Sequence, residues 1–319
     1  MDRRKFIIGC ATGLGISCYG CFRDNIFKNT IKTSQTTEDS DKLIKVLDIH
    51  IAEHCNLNCK YCAHFSNIAE PEFYDLKQFE KDIDKLSSTA KNKIGSIHLL
   101  GGEPLLNPRI NKYCDLTRKY FPNTPIEVVT NGTLIETIDE SFFKTLEKNS
   151  ISIYASYYPI EIRWRNILKK LKMYDIEFSI GGIQKYTINM KDITNDTDIK
   201  RLRIPPPRRY FYKANLNENG IFDRKKTFAK CWLGKICNQF YEGKLYHCAI
   251  IAYIRHFNKK FNTNFEVTDK DYIDIYKVKD TSEISDFLKT PPPFCRYCGK
   301  FINDTPWERS ATHDISEWT

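Results

Sequence analysis

The sequence lacks a long apolar segment. No run in its 319 residues approaches the ~20 apolar residues that a membrane-spanning helix needs, so we expect no membrane span. It also lacks a strong charge imbalance, because it has 49 Lys and Arg residues and 40 Asp and Glu residues, for a formal net charge of +9. That charge fits a solvated basic surface better than a nucleic-acid site. With 41% hydrophobic residues, the chain is long enough for one large domain or two ordinary ones.

The amino end lacks a clear small-x-small cleavage site, although residues 2–8 (DRRKFII) open a short apolar segment that looks like a twin-arginine export signal. We interpret residues 1–42 as an extension, a signal-like segment followed by a polar linker. Eight of the 12 cysteines have spacings that suit metal better than disulfides, which favours a reducing compartment. A cytoplasmic location is therefore expected, with twin-arginine export as the alternative.

From Leu43 onward, strand-like and helix-like segments alternate. The predicted strands are Leu43–Ile51, Ser96–Leu100, Ile126–Thr130, Ile151–Ala155 and Ile176–Ile180, and the predicted helices are Asp75–Ala90, one that begins near Asn107, Ser141–Glu147 and Ile162–Tyr174. Repeated βα units require a parallel sheet. Such a sheet stays open or closes into a barrel, and in both cases its ligand sites lie at the carboxyl ends of the strands.

Three cysteines follow the first predicted strand, where residues 55–62 read CNLNCKYC. Thiolates this close together can hold three irons of a [4Fe–4S] cluster and leave the fourth iron free. A fourth cysteine normally completes a cluster that only carries electrons, so this loop suggests an iron that is reserved for a reacting ligand. The alternative is a zinc knuckle that His54 or His64 completes.

A second motif lies about 40 residues further on, where residues 96–104 read SIHLLGGEP. Glycines at the end of a strand let the backbone approach a ligand closely, and a zinc knuckle has no need of them. Because parallel strands end at one edge, this motif, the cysteine loop, Thr130, Asn131 and Ser156 should lie together.

Together these motifs resemble the radical S-adenosylmethionine (SAM) superfamily over roughly residues 43–183. The resemblance implies a partial (β/α)6 barrel in which Cys55, Cys59 and Cys62 bind a catalytic [4Fe–4S] cluster and SAM chelates the free iron. It implies that Glu103 pairs with the amino group of SAM and that Tyr61 lies against the adenine. Thr130, Asn131 and Ser156 would contact the ribose and carboxylate, although each is also typical of a turn. The full set of implied SAM residues is Tyr61, Gly101, Gly102, Glu103, Pro104, Thr130, Asn131 and Ser156.

The last third of the chain carries five more cysteines, namely Cys231, Cys237, Cys248, Cys295 and Cys298. Four thiolates in two separated groups can surround a cluster or a structural Zn²⁺. The pattern of Cys231, then Gly243-x4-Cys248, then Cys295-x2-Cys298 resembles the Twitch module, a shortened SPASM domain. That resemblance implies an auxiliary [4Fe–4S] cluster on Cys231, Cys248, Cys295 and Cys298, with Cys237 as a spare or as a replacement for Cys231.

These motifs predict the domain organisation. We expect a radical SAM core barrel at 43–230 and a small auxiliary-cluster module at 231–319. Within the module, a hairpin around Gly243 should carry Cys248 on its far strand, and the tail at 301–319 should pack back on the module. Residues 200–213 (KRLRIPPPRRYFYK) are interpreted as a solvated, extended loop, with binding of a phosphate or nucleotide as the alternative.

The resemblance implies reductive cleavage of SAM to methionine and a 5′-deoxyadenosyl radical that abstracts hydrogen from a substrate. It implies a low-potential electron donor such as flavodoxin or ferredoxin. Residues 62–69 (CAHFSNIA) look like a subfamily of surface-polysaccharide or small-molecule biosynthesis, which favours a sugar or nucleotide-sugar substrate. The alternatives are a peptide-modifying maturase, against which the short segment before Leu43 counts, and a non-enzymatic iron–sulfur or zinc protein for electron transfer or scaffolding.

Overall fold

A mostly parallel sheet organises the fold of the chain. The computed structural model describes residues 42–182 and 185–319, so the twin-arginine-like segment lies outside the described residues. The strands are β1 Ile44–Ala52, β2 Ile94–Gly101, β3 Ile126–Thr130, β4 Ser152–Ser156, β5 Glu177–Gly181, β6 Lys185–Asn189, β7 Tyr210–Lys213, β8 Cys237–Tyr241, β9 Lys244–Tyr246, β10 Tyr272–Asp274 and β11 Ile302–Pro306. The α-helices are α1 Leu76–Ala90, α2 Ile110–Tyr120, α3 Glu140–Lys148, α4 Trp164–Leu171, α5 Asp196–Arg201, α6 Arg224–Lys230, α7 Leu233–Ile236, α8 Ala249–Phe261 and α9 Thr281–Lys289.

The central sheet confirms the predicted α/β class. Within the described ranges it contains nine strands in the order β10-β9-β8-β1-β2-β3-β4-β5-β6. Strands β8 and β1 to β5 are parallel neighbours, whereas β6 and the β9–β10 pair are antiparallel at the two edges. The sheet therefore has the six parallel strands that a partial (β/α)6 barrel needs.

The sixth parallel strand, β8, pairs with β1 and does not follow β5. It lies beyond residue 230, where we predicted that the barrel ends. The domain boundary itself stays a prediction. The sheet continues across it, because β8 and β9 follow residue 230 and belong to the same sheet as β1 to β5.

Local sequence explains the barrel elements well. Strand β1 is buried along most of its length, as a strand covered on both faces must be. Helix α1 begins where the Asp75 carboxylate accepts hydrogen bonds from the backbone N–H groups of Lys77 and Gln78 at 3.0 and 2.9 Å. Its apolar stripe, which includes Phe79 and Ile83, is buried against the core. Cys114 on α2 is fully buried in the core.

Two expectations for the last part of the chain need correction, and one helix was not predicted. Cys248 does not lie on the far strand of the hairpin, because β9 ends at Tyr246 and Cys248 directly precedes the helix α8. Helix α8 is buried along most of its length, so its sequence has no clear polar face from which the helix could be predicted. Residues 210–213 are not a solvated loop, because they form β7, which pairs with β11.

The tail from residue 301 has two docking sites. Trp318 packs on Phe257 and Phe261 of α8, which confirms the expected contact with residues of the predicted module. The tail also contacts the cysteine loop, which the sequence did not indicate. In the described ranges, none of the helices combines the length and the hydropathy required of a membrane span.

Candidate functional site

The cysteine loop leaves the carboxyl end of β1 and folds tightly. Asn58, Tyr61 and Phe65 adopt left-handed backbone conformations with φ of 62°, 62° and 54°. The backbone N–H of Cys55 donates to Ser66 at 3.1 Å, and that of Phe65 donates to Cys62 at 3.0 Å. The loop is therefore closed on itself, and all three of its cysteines line one cavity of about 330 Å³, which we name the first cavity.

The three thiols suit a metal cluster better than free thiolates. Burial raises the pKa of Cys55 to about 12 and raises the pKa values of Cys59 and Cys62 as well. The thiols are thus protonated at neutral pH unless a strong positive charge binds them. Iron supplies that charge and displaces the protons, so the donor set fits the implied cluster.

Six of the eight implied SAM residues share the first cavity with the cysteines: Tyr61, Gly101, Gly102, Thr130, Asn131 and Ser156. They come from the cysteine loop and from the ends of β2, β3 and β4, so the strand-end rule brings them together as expected. Glu103 and Pro104 are not among the lining residues and lie behind this surface. Their predicted roles toward SAM stay predictions.

Glu103 ties the ends of two strands together. It is fully buried, and its Oε1 accepts hydrogen bonds from the Thr130 hydroxyl at 2.7 Å and the Leu105 N–H at 3.1 Å. Its Oε2 accepts from the Asn131 N–H at 2.8 Å. The carboxylate thus fixes Thr130 and Asn131 at the cavity surface.

The buried Glu103 makes stability depend on pH. Burial raises its pKa from 4.5 to about 7, although its three hydrogen bonds act in the opposite direction. Because the folded protein disfavours the ionised form, we expect metal-free protein to lose on the order of 3 kcal/mol of stability between about pH 4.5 and pH 7. Thermal unfolding of wild type and Glu103→Gln across that range checks this. The wild type should lose stability more steeply, and parallel curves would contradict the prediction.

Gly101 and Gly102 serve close packing of backbone. A Cβ on Gly101 would lie 2.0 Å from the Ala52 carbonyl oxygen, and one on Gly102 would lie 2.2 Å from the His54 carbonyl oxygen. The Gly102 N–H also donates to the Ala52 carbonyl at 2.8 Å. The two glycines therefore let the second motif press against the start of the cysteine loop.

Asn131 connects the third strand to the cysteine loop. Its side-chain amide donates to Asn56 at 2.8 Å and lies 3.6 Å from the Cys55 Sγ. The Thr133 hydroxyl donates to the side-chain Oδ1 of Asn131 at 2.6 Å and accepts from the side-chain amide of Asn56 at 3.0 Å. This closed network orients Asn131 toward the thiols.

The two histidines of the zinc alternative lie apart. His64 lines the first cavity, and its Nδ1 is 2.6 Å from the Nε2 of His50, whereas His54 is not among the lining residues. Within residues 42–182 and 185–319, no three or more Cys, His, Asp or Glu side chains are arranged to hold one metal ion. In a cluster each thiolate binds its own iron.

A second cavity of about 560 Å³ gathers the four predicted auxiliary ligands, Cys231, Cys248, Cys295 and Cys298. Burial raises the pKa values of Cys248, Cys295 and Cys298, so these three thiols need a bound cation to become thiolates. Cys237 is not among the residues of the second cavity. It lines the first cavity, near Asp48.

The two cavities share a wall of three side chains. Trp232, Leu233 and Phe301 line both of them. Trp232 directly follows Cys231, and its ring packs against Phe301 with centroids 6.5 Å apart. A group bound in one cavity is therefore separated from the other cavity by side chains alone.

The tail covers the outer side of the cysteine loop, and we name residues 307–318 the tail strap. The Trp307 indole N–H donates to the Cys59 Sγ at 3.1 Å, and the Trp318 indole N–H donates to the Cys62 carbonyl at 3.0 Å. Backbone N–H groups of Lys60 and Ser310 make reciprocal hydrogen bonds between loop and strap at 2.9 and 2.7 Å. The strap thus holds the loop from outside.

Sequence reasoning missed several residues of the first cavity and its cover. Asp48 and His98 are polar positions within apolar strands, which is the signal that could have found them. Arg208 belongs to the basic segment that we interpreted as solvated, yet it lines the cavity. Trp307 had no sequence signal, because its contact with Cys59 spans 248 residues.

Comparison with known proteins agrees with this site. Residues 49–197 match the family described as the Radical SAM superfamily. A GTP 3′,8-cyclase of Clostridium botulinum is 28% identical over 159 residues, which are 48% of this chain and 50% of that protein. A GTP 3′,8-cyclase of Sulfurimonas denitrificans is 27% identical over 96 residues, 30% of each chain. The chain thus spans about half the length of the Clostridium botulinum protein and 30% of the length of the Sulfurimonas denitrificans protein.

Solved structures of similar shape include BtrN in complex with AdoMet and 2-DOIA, at 16% identity over 82% of this chain and 94% of that chain, with a TM-score of 0.43. Native anSMEcpe with bound AdoMet and Cp18Cys peptide is 26% identical over 43% of this chain and 42% of that chain, with a TM-score of 0.34. At these TM-scores the likeness carries no argument about site or substrate.

Residues 49–197 are thus similar to the radical SAM superfamily, and this matched region contains the three cysteines that the first cavity gathers. That family uses a [4Fe–4S] cluster and SAM, and the similarity indicates an enzyme. The match covers residues 49–197, so it includes the cysteine loop and the ends of β2, β3 and β4.

Proposed function

We propose that the protein cleaves SAM reductively and uses the resulting 5′-deoxyadenosyl radical to abstract a hydrogen atom from a substrate. The observation that carries this proposal is the convergence of Cys55, Cys59 and Cys62 with six implied SAM residues on one cavity. Cys55, Cys59 and Cys62 would hold the cluster. When bound, the cluster supplies the electron for SAM cleavage.

The residues of the chain contribute orientation and exclusion of water. Glu103 fixes the backbone of Asn131 and the hydroxyl of Thr130, while Gly101 and Gly102 bring the end of β2 close to the cysteine loop. The tail strap covers the loop and shields its thiols from solvent. A site that handles a radical needs such a fixed, covered environment more than it needs acid–base groups.

We further propose that Cys231, Cys248, Cys295 and Cys298 hold an auxiliary [4Fe–4S] cluster in a Twitch-like or SPASM-like module. Their convergence on the second cavity supports this, and so does the wall that this cavity shares with the first. The four cysteines would hold that cluster beside the first cavity, where it would supply an electron acceptor or a binding point for the substrate. Cys237, which lies in the first cavity, is left out of the set.

The preferred substrate is a sugar or nucleotide-sugar. The likeness to GTP 3′,8-cyclases, whose name records a nucleotide substrate, supports it, although only about half of those proteins is matched. A peptide is the second candidate, as the alternative substrate class that the sequence left open. We expect electron donation by flavodoxin or ferredoxin in the cytoplasm.

Release of 5′-deoxyadenosine tests the proposal. Protein that is reconstituted anaerobically with iron and sulfide is mixed with dithionite and SAM, and the products are separated by liquid chromatography. We expect 5′-deoxyadenosine and methionine. Absence of both from protein that contains intact clusters would refute the enzyme reading and favour an electron-transfer or scaffold protein.

The Trp307 indole should tune the cluster. A hydrogen bond to a ligand sulfur stabilises the reduced state, because it withdraws electron density from the thiolate. We therefore expect Trp307→Phe to lower the reduction potential of the cluster at Cys59, as measured by a redox titration followed by electron paramagnetic resonance. Trp318→Phe is the matched control, because its indole donates to a backbone carbonyl of the same loop and not to sulfur. Equal potentials in wild type and Trp307→Phe would contradict this role.

A further inference from the structure

The first cavity extends beyond the implied SAM residues. Among the additional lining residues are Asp48, His98 and Arg208, whose side chains can bind polar groups. None of the three belongs to either cysteine set or to the implied SAM site. They lie on β1, on β2 and in the segment between α5 and β7. This part of the cavity is the region left for a substrate.

Asp48, His98 and Gln239 form a polar row across three neighbouring parallel strands. Asp48 is in register with His98 on one side and with Gln239 on the other. The Asp48 carboxylate is 3.0 Å from the His98 Nδ1 and accepts from the Gln239 side-chain amide at 2.8 Å. Gln239 is fully buried, and its amide oxygen has no hydrogen-bond partner among the residues that the structure describes. Gln239 is not among the lining residues of the first cavity and holds the Asp48 carboxylate from behind, whereas Asp48 and His98 line the cavity and can bind the hydroxyl groups of a ligand.

The charges around His98 favour a neutral group over a charged one. Asp48 faces the ring from β1, and Glu127 faces it from β3, with its Oε2 3.6 Å from the His98 Nε2. The ammonium group of Lys185 on β6 lies 3.5 Å from Glu127 and offsets its charge. Cys237 and Gln239 on β8 are the remaining polar neighbours of Asp48 and carry no charge in this setting. Sugar hydroxyls fit such a balanced row.

Arg208 supplies a positive charge to the same cavity. Its backbone N–H donates to the Tyr157 carbonyl at 2.8 Å, just after the end of β4, and its side chain lines the cavity. Among residues 42–182 and 185–319, its guanidinium makes no ion pair with a carboxylate within 4.0 Å. An arginine without a carboxylate partner in a ligand cavity is suited to a phosphate.

Aromatic faces lie beside this part of the cavity. Tyr212 and Trp232 both line it, with ring centroids 5.1 Å apart, and they are 44% and 41% exposed. Large aromatic side chains are rarely left this open without a partner, and they offer flat surfaces for a sugar or a nucleobase.

We propose that the substrate is a phosphorylated sugar, free or carried on a nucleotide, whose hydroxyls contact Asp48 and His98 and whose phosphate pairs with Arg208. This inference rests on the proposed function and names the substrate class of the same site. Tyr212 and Trp232 bind the nucleobase when one is present.

Binding of uridine diphosphate glucose tests the assignment, with uridine monophosphate as the fragment that lacks the sugar under study. Isothermal titration calorimetry is performed anaerobically on the full chain, reconstituted and saturated with SAM. We expect the wild type to bind both probes and Arg208→Gln to weaken both by about tenfold or more. His98→Gln should weaken the nucleotide-sugar and leave the monophosphate unchanged. Arg209→Gln is the matched control, because Arg209 is exposed and is not among the lining residues, and it should bind like the wild type.

Two results would overturn the inference: no binding of uridine diphosphate glucose to the wild type, or equal loss of affinity in Arg208→Gln and Arg209→Gln. Release of 5′-deoxyadenosine from SAM is measured on the same samples. Cleavage without probe binding refutes the substrate class and leaves the proposed function intact, whereas intact clusters without cleavage refute the proposed function itself.

Discussion

Replacing Cys55, Cys59 and Cys62 together by alanine is expected to halve the iron content and to abolish SAM cleavage. Two [4Fe–4S] clusters give about eight irons per chain, and the triple variant should keep about four. The three thiols line the same cavity as the implied SAM residues, so their replacement removes the side chains that would hold a cluster there. Iron and sulfide analysis and the assay for 5′-deoxyadenosine measure the two effects.

Cys114→Ala is the control for the triple variant. Cys114 is fully buried on α2 and is not among the lining residues of either cavity, so its replacement should leave both the iron content and the cleavage unchanged. Zinc in place of iron in the wild type, or an unchanged iron content in the triple variant, would contradict the assignment of these cysteines.

Replacing Cys295 and Cys298 by alanine should remove the other four irons, about half of the total, and spare SAM cleavage. Both cysteines line the second cavity, which is separated from the first by Trp232, Leu233 and Phe301. The first cluster therefore keeps all its ligands, and 5′-deoxyadenosine should still form with dithionite as reductant. Conversion of the substrate, once it is identified, should fail.

Cys237→Ala tests whether Cys237 belongs to the auxiliary ligand set. Because Cys237 lies in the first cavity beside Asp48, this variant should keep about eight irons. Loss of iron in Cys237→Ala, or retention of all iron when Cys295 and Cys298 are replaced, would show that the auxiliary ligand set is different.

The sequence predicted the barrel strands well because each has a strong local signal. Ile126–Thr130 was predicted with the observed bounds, and the strand predicted at Leu43–Ile51 is observed at Ile44–Ala52. The sixth parallel strand escaped because β8 is assigned to the barrel only by its pairing with β1, which is a long-range contact. Helix α8 escaped because it is buried on most sides and has no polar stripe.

The candidate site was likewise predicted from the sequence only in part. Cysteine spacing and strand ends were enough to predict that the three cysteines and six of the implied SAM residues gather in the first cavity, because parallel strands end at one edge. Spacing could not show that Glu103 faces Thr130 and Asn131 and not the cavity, since this depends on side-chain packing. The same limit hid Arg208, whose proline-rich segment gives no periodic pattern.

The contact between Trp307 and Cys59 joins positions 248 residues apart, so a growing chain exposes the cysteine loop long before its cover has been made. Iron and sulfide can therefore reach the three thiols from every side during this interval, whereas in the finished fold the tail strap covers one side of the loop and access is through the first cavity. We expect repair of the assembled enzyme to be slower than its first loading.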